Sequence, residues 1–421
     1  MHILLKNVRI VASHSPFNGQ QKDILISNGI IQKIGDEVVA PDDAQIISAR
    51  DLHVSAGWVD VFANFCDPGQ EYKEDLQSGS RAAAVGGFTT VMVVPNTQPA
   101  VQTKPQVEYV LSQTRNGLVN VLPIGAISKN IEGSSLAEMY EMRLTGAVAF
   151  SDGLKPLQSS GLMLKALQYV KAFDGTVIQI PDDHTISAHG LMHEGIHSTR
   201  LGMPGKPAIA EEIMVRRDLE LARYTESRIH FTGVSTAKSV ELIAAAKAEG
   251  VKVTCSVTPY HLTFTDADLQ DYDTNLKVNP ALRTEEDVAA LKDAVKKGLI
   301  DCFATHHLPQ DWDAKEVEFE YAKYGMIGLE SCFGALRTAL PEVPAEQIVD
   351  MLSNGARKVF NLPTPSVEEG AQAELTLFTP DTEYTFGPAH IGSKSKNSAY
   401  LGRELKGAVV GIFNNGKAYI G

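Results

Sequence analysis

The sequence predicts an α/β chain built as a TIM (β/α)8 barrel, with a small β-sandwich domain assembled from both termini. Three observations predict it. The middle of the chain alternates short apolar runs with helical patterns, the signature of parallel β/α units. The apolar runs number eight, the strand count of such a barrel. Both ends of the chain read as β, with turn signals between short runs rich in β-branched residues.

Taken in order, ILLKNVRIV, DILISNGIIQKIG and AQIISARDLHV fill the first fifty-odd residues, with turns at Asn18-Gly19 and Asn28-Gly29. GWVDVFANF near residue 60 is the first barrel strand. FTTVMVVP, VNVLPIGAI, GAVAFSDG, GTVIQIP, RIHFTGVST, KVTCSVTP and IDCFATHH supply the other seven. Helical patterns lie between them: VEYVLSQTR, SGLMLKALQYVKAF, AEEIMVRRDLELARYTE, AKSVELIAAAKAEG and EEDVAALKDAVKKG. AELTLFTP, TEYTFG and GAVVGIFNNGKAYIG close the chain, with a strong hairpin signal at Asn415-Gly416. The reading assigns 1–52 and 365–421 to the sandwich and 53–364 to the barrel. A doubly wound open sheet is the alternative, but no G-x-G-x-x-G follows the first strand.

The chain has 421 residues, 43% hydrophobic and 21% charged, enough for a sizeable core. A net charge of −13 argues against nucleic acid or an anionic membrane as partner. No run of 18 apolar residues suggests a membrane span. The N-terminus lacks a signal-peptide layout. Cys66, Cys255, Cys302 and Cys332 are far apart without a C-x-x-C pair, so a reduced, cytoplasmic protein is expected.

PGQEYKEDLQSGSRAAAVGGFTTVMVVPNT (68–97) resembles the dihydroorotases of the cyclic amidohydrolase superfamily, specifically the longer bacterial type. AFSDG (149–153), HEG…RLGMPGKPAIAEE (193–212), GVST (233–236), AKAEGVKVTCSVTPYHL (246–262), DTNLKVNPALRTEEDVAALKDAVKKGLIDCFAT (273–305) and KSKNSAYLGRELKG (394–407) follow in family order. The resemblance implies a barrel with a small β domain from both termini. It also implies zinc-dependent interconversion of N-carbamoyl-L-aspartate and dihydroorotate, in which a metal lowers the pKa of its bound water.

The metal positions depart from the family pattern. Its first strand ends D-x-H-x-H-x-R-x-P-G; here Asp60, Phe62, Asn64, Cys66, Pro68 and Gly69 stand there. Phe62 and Asn64 replace two histidine ligands. Cys66 replaces the arginine that would clamp a substrate carboxylate bidentately. Asp152 fits the bridging position and is retained. Ile180 replaces the histidine of H-x-E-D, Gly233 the second histidine of H-x-x-H, and His306 the catalytic aspartate of T-D-H-A-P-H. Tyr260 and Gly355 are lesser departures, and no catalytic residue is expected intact. Asn96, Asn279 and His307 match positions that face substrate in the family; the competing expectation is that they hydrogen-bond neighbouring loops.

No metal is therefore expected, with Asp152, His306 and His307 as residual candidates for a single ion if an unconventional site exists. His184, His189, His193 and His197 form a second series, but Gly190 and Gly195 interrupt it and a loop is expected. Cys66 beside Asp67 reads as an inert buried thiol rather than a nucleophile. These departures point to a non-catalytic homologue. The resemblance implies aspartate transcarbamoylase as its partner and a homo-oligomer as its state. An active dihydroorotase with zinc at an unconventional site is the alternative.

Overall fold

A computed structural model describes residues 2–421. Eight parallel strands form the central sheet: β1 (Trp58–Ala63), β2 (Phe88–Val93), β3 (Asn120–Gly125), β4 (Ala149–Phe150), β5 (Thr176–Gln179), β6 (Arg228–Phe231), β7 (Val253–Val257) and β8 (Cys302–Phe303). Each of the eight apolar runs read from the sequence contains one of them. Neighbours follow chain order from β1 to β8. Every residue of β1, β2 and β5 is buried, as expected for parallel strands covered on both faces.

The two edges meet through His307. It forms parallel bridges to Ala63 and to Met326, and its carbonyl accepts from the Asn64 N–H at 2.8 Å. Below that seam the buried Asp60 carboxylate accepts from Thr305 N at 2.7 Å and Thr305 Oγ1 at 2.9 Å. Asp60 thus ties β1 to the segment after β8.

The five helices expected from periodicity are Lys104–Thr114, Ser160–Lys171, Ile209–Thr225, Ala237–Ala248 and Glu285–Lys296. Three begin at side-chain caps: Ser159, Thr236 and Thr284 each accept from a first-turn N–H. Such caps satisfy donors that the helix itself leaves open.

The chain ends share one sheet. Its order is Lys417–Ile420, Glu404–Asn414, Leu375–Thr385, His53–Ala56, His2–Val11, Gln21–Ser27 and Ile30–Gly35. Gln45–Ile47 also pairs with His2–Val11. Ile3, Leu5, Ile10, Ile24, Leu377 and Phe413 contribute to one apolar cluster, so both termini build the same core. Two of the three Asn-Gly signals form tight hairpins, with Asn28 and Gly29 at φ 52° and 78°, and Asn415 and Gly416 at 51° and 70°; Asn18-Gly19 lies in the longer turn between His2–Val11 and Gln21–Ser27. The strand His53–Ala56, assigned above to the barrel segment, instead pairs with Leu375–Phe378 and Arg9–Val11. Its apolar residues serve the terminal core equally well, which is why the pattern alone did not place it.

Candidate functional site at the barrel mouth

The C-terminal ends of β1, β5 and β8 open on a cavity of about 250 Å³. Phe62, Asn64, Ile180, Asn279, His306 and His307 are among the side chains lining it.

One side of this cavity is hydrocarbon. Phe62 and Ile180, each 1% exposed, pack in a cluster with Met92, Val94 and Ile124. The Phe62 ring lies over the His306 imidazole, with centroids 4.6 Å apart and planes inclined at 35°. Phe62 and Ile180 stand where the family pattern has histidines, and both side chains are packed in this apolar cluster.

Gly233 and His306 fit each other. Gly233 has φ +69°, and a Cβ there would stand 2.5 Å from His306 Cε1. The imidazole therefore occupies space that any side chain at 233 would need. His306 itself has φ 46°, a left-handed conformation that turns its ring inward after β8.

A hydrogen-bond chain runs inward from that ring. His306 Nε2 bonds Thr232 Oγ1 at 2.8 Å, Ser256 Oγ donates to Thr232 Oγ1 at 3.0 Å, and His230 Nε2 meets Ser256 Oγ at 3.0 Å. Thr254 Oγ1 closes the far end on His230 Nδ1 at 2.9 Å. Burial holds both His306 and His230 down at about 3, with His261 and His230 adding to the effect on His306. Both rings are neutral at ordinary pH.

Asp152 is buried and turned into the fold. Its Oδ1 accepts from Ile127 N at 3.0 Å and Ser128 N at 2.8 Å, and its Oδ2 accepts from Ser128 Oγ. Burial raises its pKa. Asn96 also serves a loop: its Nδ2 donates to Asp152 O at 3.1 Å and its Oδ1 accepts from Leu154 N at 2.9 Å.

Asn279 lines the cavity, and its Oδ1 accepts from Lys206 Nζ at 2.7 Å. The buried Lys206 also donates to Asp182 Oδ2 at 3.1 Å. His307 Nδ1 accepts from Gly328 N at 3.1 Å, so its proton sits on Nε2, 3.6 Å from Glu74 Oε2. That nitrogen has no hydrogen-bond partner among the described residues. Lys206 and Glu74 do not stand out in the sequence. Lys206 lies within a G-K-P run and Glu74 within the K-E-D run of a matched motif, which were the available signals.

Cys66 is 1% exposed, and burial pushes its thiol up to about 12. It is an inert thiol at neutral pH. The histidine series does not converge. His184 begins the helix His184–Ser187 and His197 lies in Ile196–Leu201. His193 Nδ1 lies 3.2 Å from Arg283 Nη1. Its pKa falls to about 4, first through burial and then through Arg283.

The zinc that the resemblance implies does not fit this donor set. Phe62 and Ile180 have no donor atoms, both Asp152 oxygens hold loop hydrogen bonds, and His306 Nε2 is bonded to Thr232. Zinc needs about three convergent N, O or S ligands. Among the described residues no three His, Cys, Asp or Glu side chains are arranged to hold an ion.

The "Dihydro-orotase-like" family pattern matches residues 53–268, and that of the "Amidohydrolase family" matches residues 212–419. A dihydroorotase of Pelotomaculum thermopropionicum is 42% identical over 413 residues, covering 97% of this chain and 96% of the relative. One of Ruminiclostridium cellulolyticum is 41% identical, with the same shares covered. Among solved structures, the L-hydantoinase (dihydropyrimidinase) of Arthrobacter aurescens superimposes with a TM-score of 0.85 at 23% identity, over 99% of this chain and 95% of that one. The dihydropyrimidinase of Brevibacillus agri gives 0.83 at 19%, over 100% and 95%. The fold is that of the amidohydrolase barrels. Within it, the chain belongs to the dihydroorotase-like family.

Proposed function

We propose that this chain is a cytoplasmic dihydroorotase homologue of pyrimidine biosynthesis that no longer carries out metal-dependent hydrolysis and serves as a scaffold partner of aspartate transcarbamoylase. The observation that carries this reading is the replacement of donor atoms by hydrocarbon at the mouth, with the Phe62 ring against His306 and Ile180 in the same apolar cluster. The Gly233–His306 fit supports it further, because a histidine restored at 233 alone would collide with the imidazole already there. A barrel intact in all eight strands beside an altered ligand set suits a protein kept for its surfaces. The substrate side agrees: Cys66 offers no fork for a carboxylate, and its thiol stays protonated.

The reading predicts that the purified chain, equilibrated with excess zinc and then desalted, retains far less than one metal per chain. It also predicts that the chain and the aspartate transcarbamoylase of the same organism sediment as one species at micromolar concentration. Independent sedimentation across that range would contradict the scaffold role.

A further inference from the structure

The chain has two tryptophans, and they lie at opposite extremes. Trp58 is fully buried, whereas Trp312 is 73% exposed. Trp312 belongs to the strap 311–323, which follows β8 and runs beside the mouth, where Lys323 and Tyr324 line the cavity. The same strap exposes Tyr321 at 69% and Val317 at 37%. A single exposed apolar side chain is ordinary on a protein surface; three within a run this short, two of them large aromatics, mark a place where another molecule sits. Trp and Tyr are the side chains enriched where proteins dock.

The strap is held from its inner side. Lys315, Phe319 and Ala322 are buried. The Lys315 ammonium donates to Thr274 O and to Lys323 O, each at 2.8 Å. The buried Lys277 donates to Phe319 O at 2.7 Å and to Glu320 O at 2.8 Å. Lys323 N bonds Ala314 O at 3.0 Å, which folds the strap back on itself and brings the Trp312 turn to the Tyr321 turn. A surface fixed in this way loses little freedom on docking.

Charge specifies the partner. The carboxylates of Asp311, Asp313, Glu316, Glu318 and Glu320 form no hydrogen bond or ion pair among the described residues. Lys315 is turned inward and bonded to carbonyl oxygens, so Lys323 is the strap's one exposed cation among the described residues. We propose that the outer face of residues 311–323 is a protein-docking surface, and that its partner brings arginine or lysine side chains to it. Trp312 and Tyr321 supply contact area and ring faces on which a guanidinium stacks. The carboxylates steer the basic groups and pair with them. The proposal rests on the scaffold reading and adds to it the face by which the partner is held.

The test is sedimentation of the full chain with the aspartate transcarbamoylase of the same organism. The double variant Trp312→Ser/Tyr321→Ser is expected to weaken association about 100-fold. The triple variant Glu316→Gln/Glu318→Gln/Glu320→Gln is expected to weaken it about tenfold and to flatten its dependence on salt. Tyr224→Ser, at a tyrosine 75% exposed on the helix Ile209–Thr225, is expected to change nothing. All of these positions are exposed, so every variant should unfold at the urea concentration that unfolds the wild type. Association of the double variant as tight as that of the wild type would overturn the docking surface and leave the scaffold reading standing. An equal loss in Tyr224→Ser would overturn the assignment to the strap. An unchanged triple variant, or association that does not weaken as salt rises, would overturn the basic partner. If the wild type does not associate at all, the docking surface and the scaffold reading fall together.

Discussion

Gly233→Ala is expected to destabilise the barrel by about 3 kcal/mol, and most of that loss is expected to vanish when His306 is also replaced by alanine. Two terms add. An L-residue in the left-handed region costs roughly 1–2 kcal/mol, and residue 233 has φ +69°. Overpacking a filled interior costs about 1–3 kcal/mol more, and the new Cβ would lie 2.5 Å from His306 Cε1. Removing the imidazole leaves only the first term. The two substitutions should therefore couple by about 2 kcal/mol in a double-mutant cycle read from urea unfolding. Additive effects would mean that His306 and Gly233 do not share that space.

Acid should unfold the protein more readily than carboxylate titration alone explains. Burial holds His230, His261 and His306 at about 3 in the fold, against about 6.5 in an unfolded chain. As pH falls from 6.5 toward 4, the unfolded state takes up these three protons and the folded state does not. Stability is then fully present above about 6.5 and declines as pH drops, by about 1.4 kcal/mol per pH unit for each ring. Asp60 and Asp218 act in the opposite sense. Burial raises both to about 6, so below that pH the folded state takes up protons first. Between pH 6.5 and 6 the three rings act unopposed, and below 6 three rings against two carboxyls leave a net loss of about 1.4 kcal/mol per unit, roughly 5 kcal/mol in all by pH 4; His193, held at about 4, acts in the same sense as the rings. That is a large part of an ordinary folding free energy. His306→Gln should flatten the profile by one proton. Stability that is level or rising from pH 6.5 to 4 would contradict the neutral, buried state of these rings.

The barrel was legible because its signals are local. Each strand is a short, mostly buried run, and the helices between them show their periodicity within single segments. The hairpins at Asn28-Gly29 and Asn415-Gly416 were legible for the same reason. The site was legible only as a set of replacements. That Phe62, Ile180 and Gly233 lack donors follows from residue type. That Asp152 is engaged by Ile127 and Ser128, or that Lys206 orients Asn279, does not. Those facts depend on side-chain direction and on contacts between residues distant in sequence, which no local pattern encodes. His53–Ala56 shows the same limit in the fold: four buried residues suit either sheet, and only the pairing with Leu375–Phe378 decides.

The most direct test is dihydroorotate hydrolysis by the purified chain with added zinc, with metal content recorded on the same sample. Turnover at background level with far less than one metal per chain is the expected result. Turnover well above background, with metal bound in proportion to the chain, would show that other residues rebuild a working centre and would contradict the non-catalytic role.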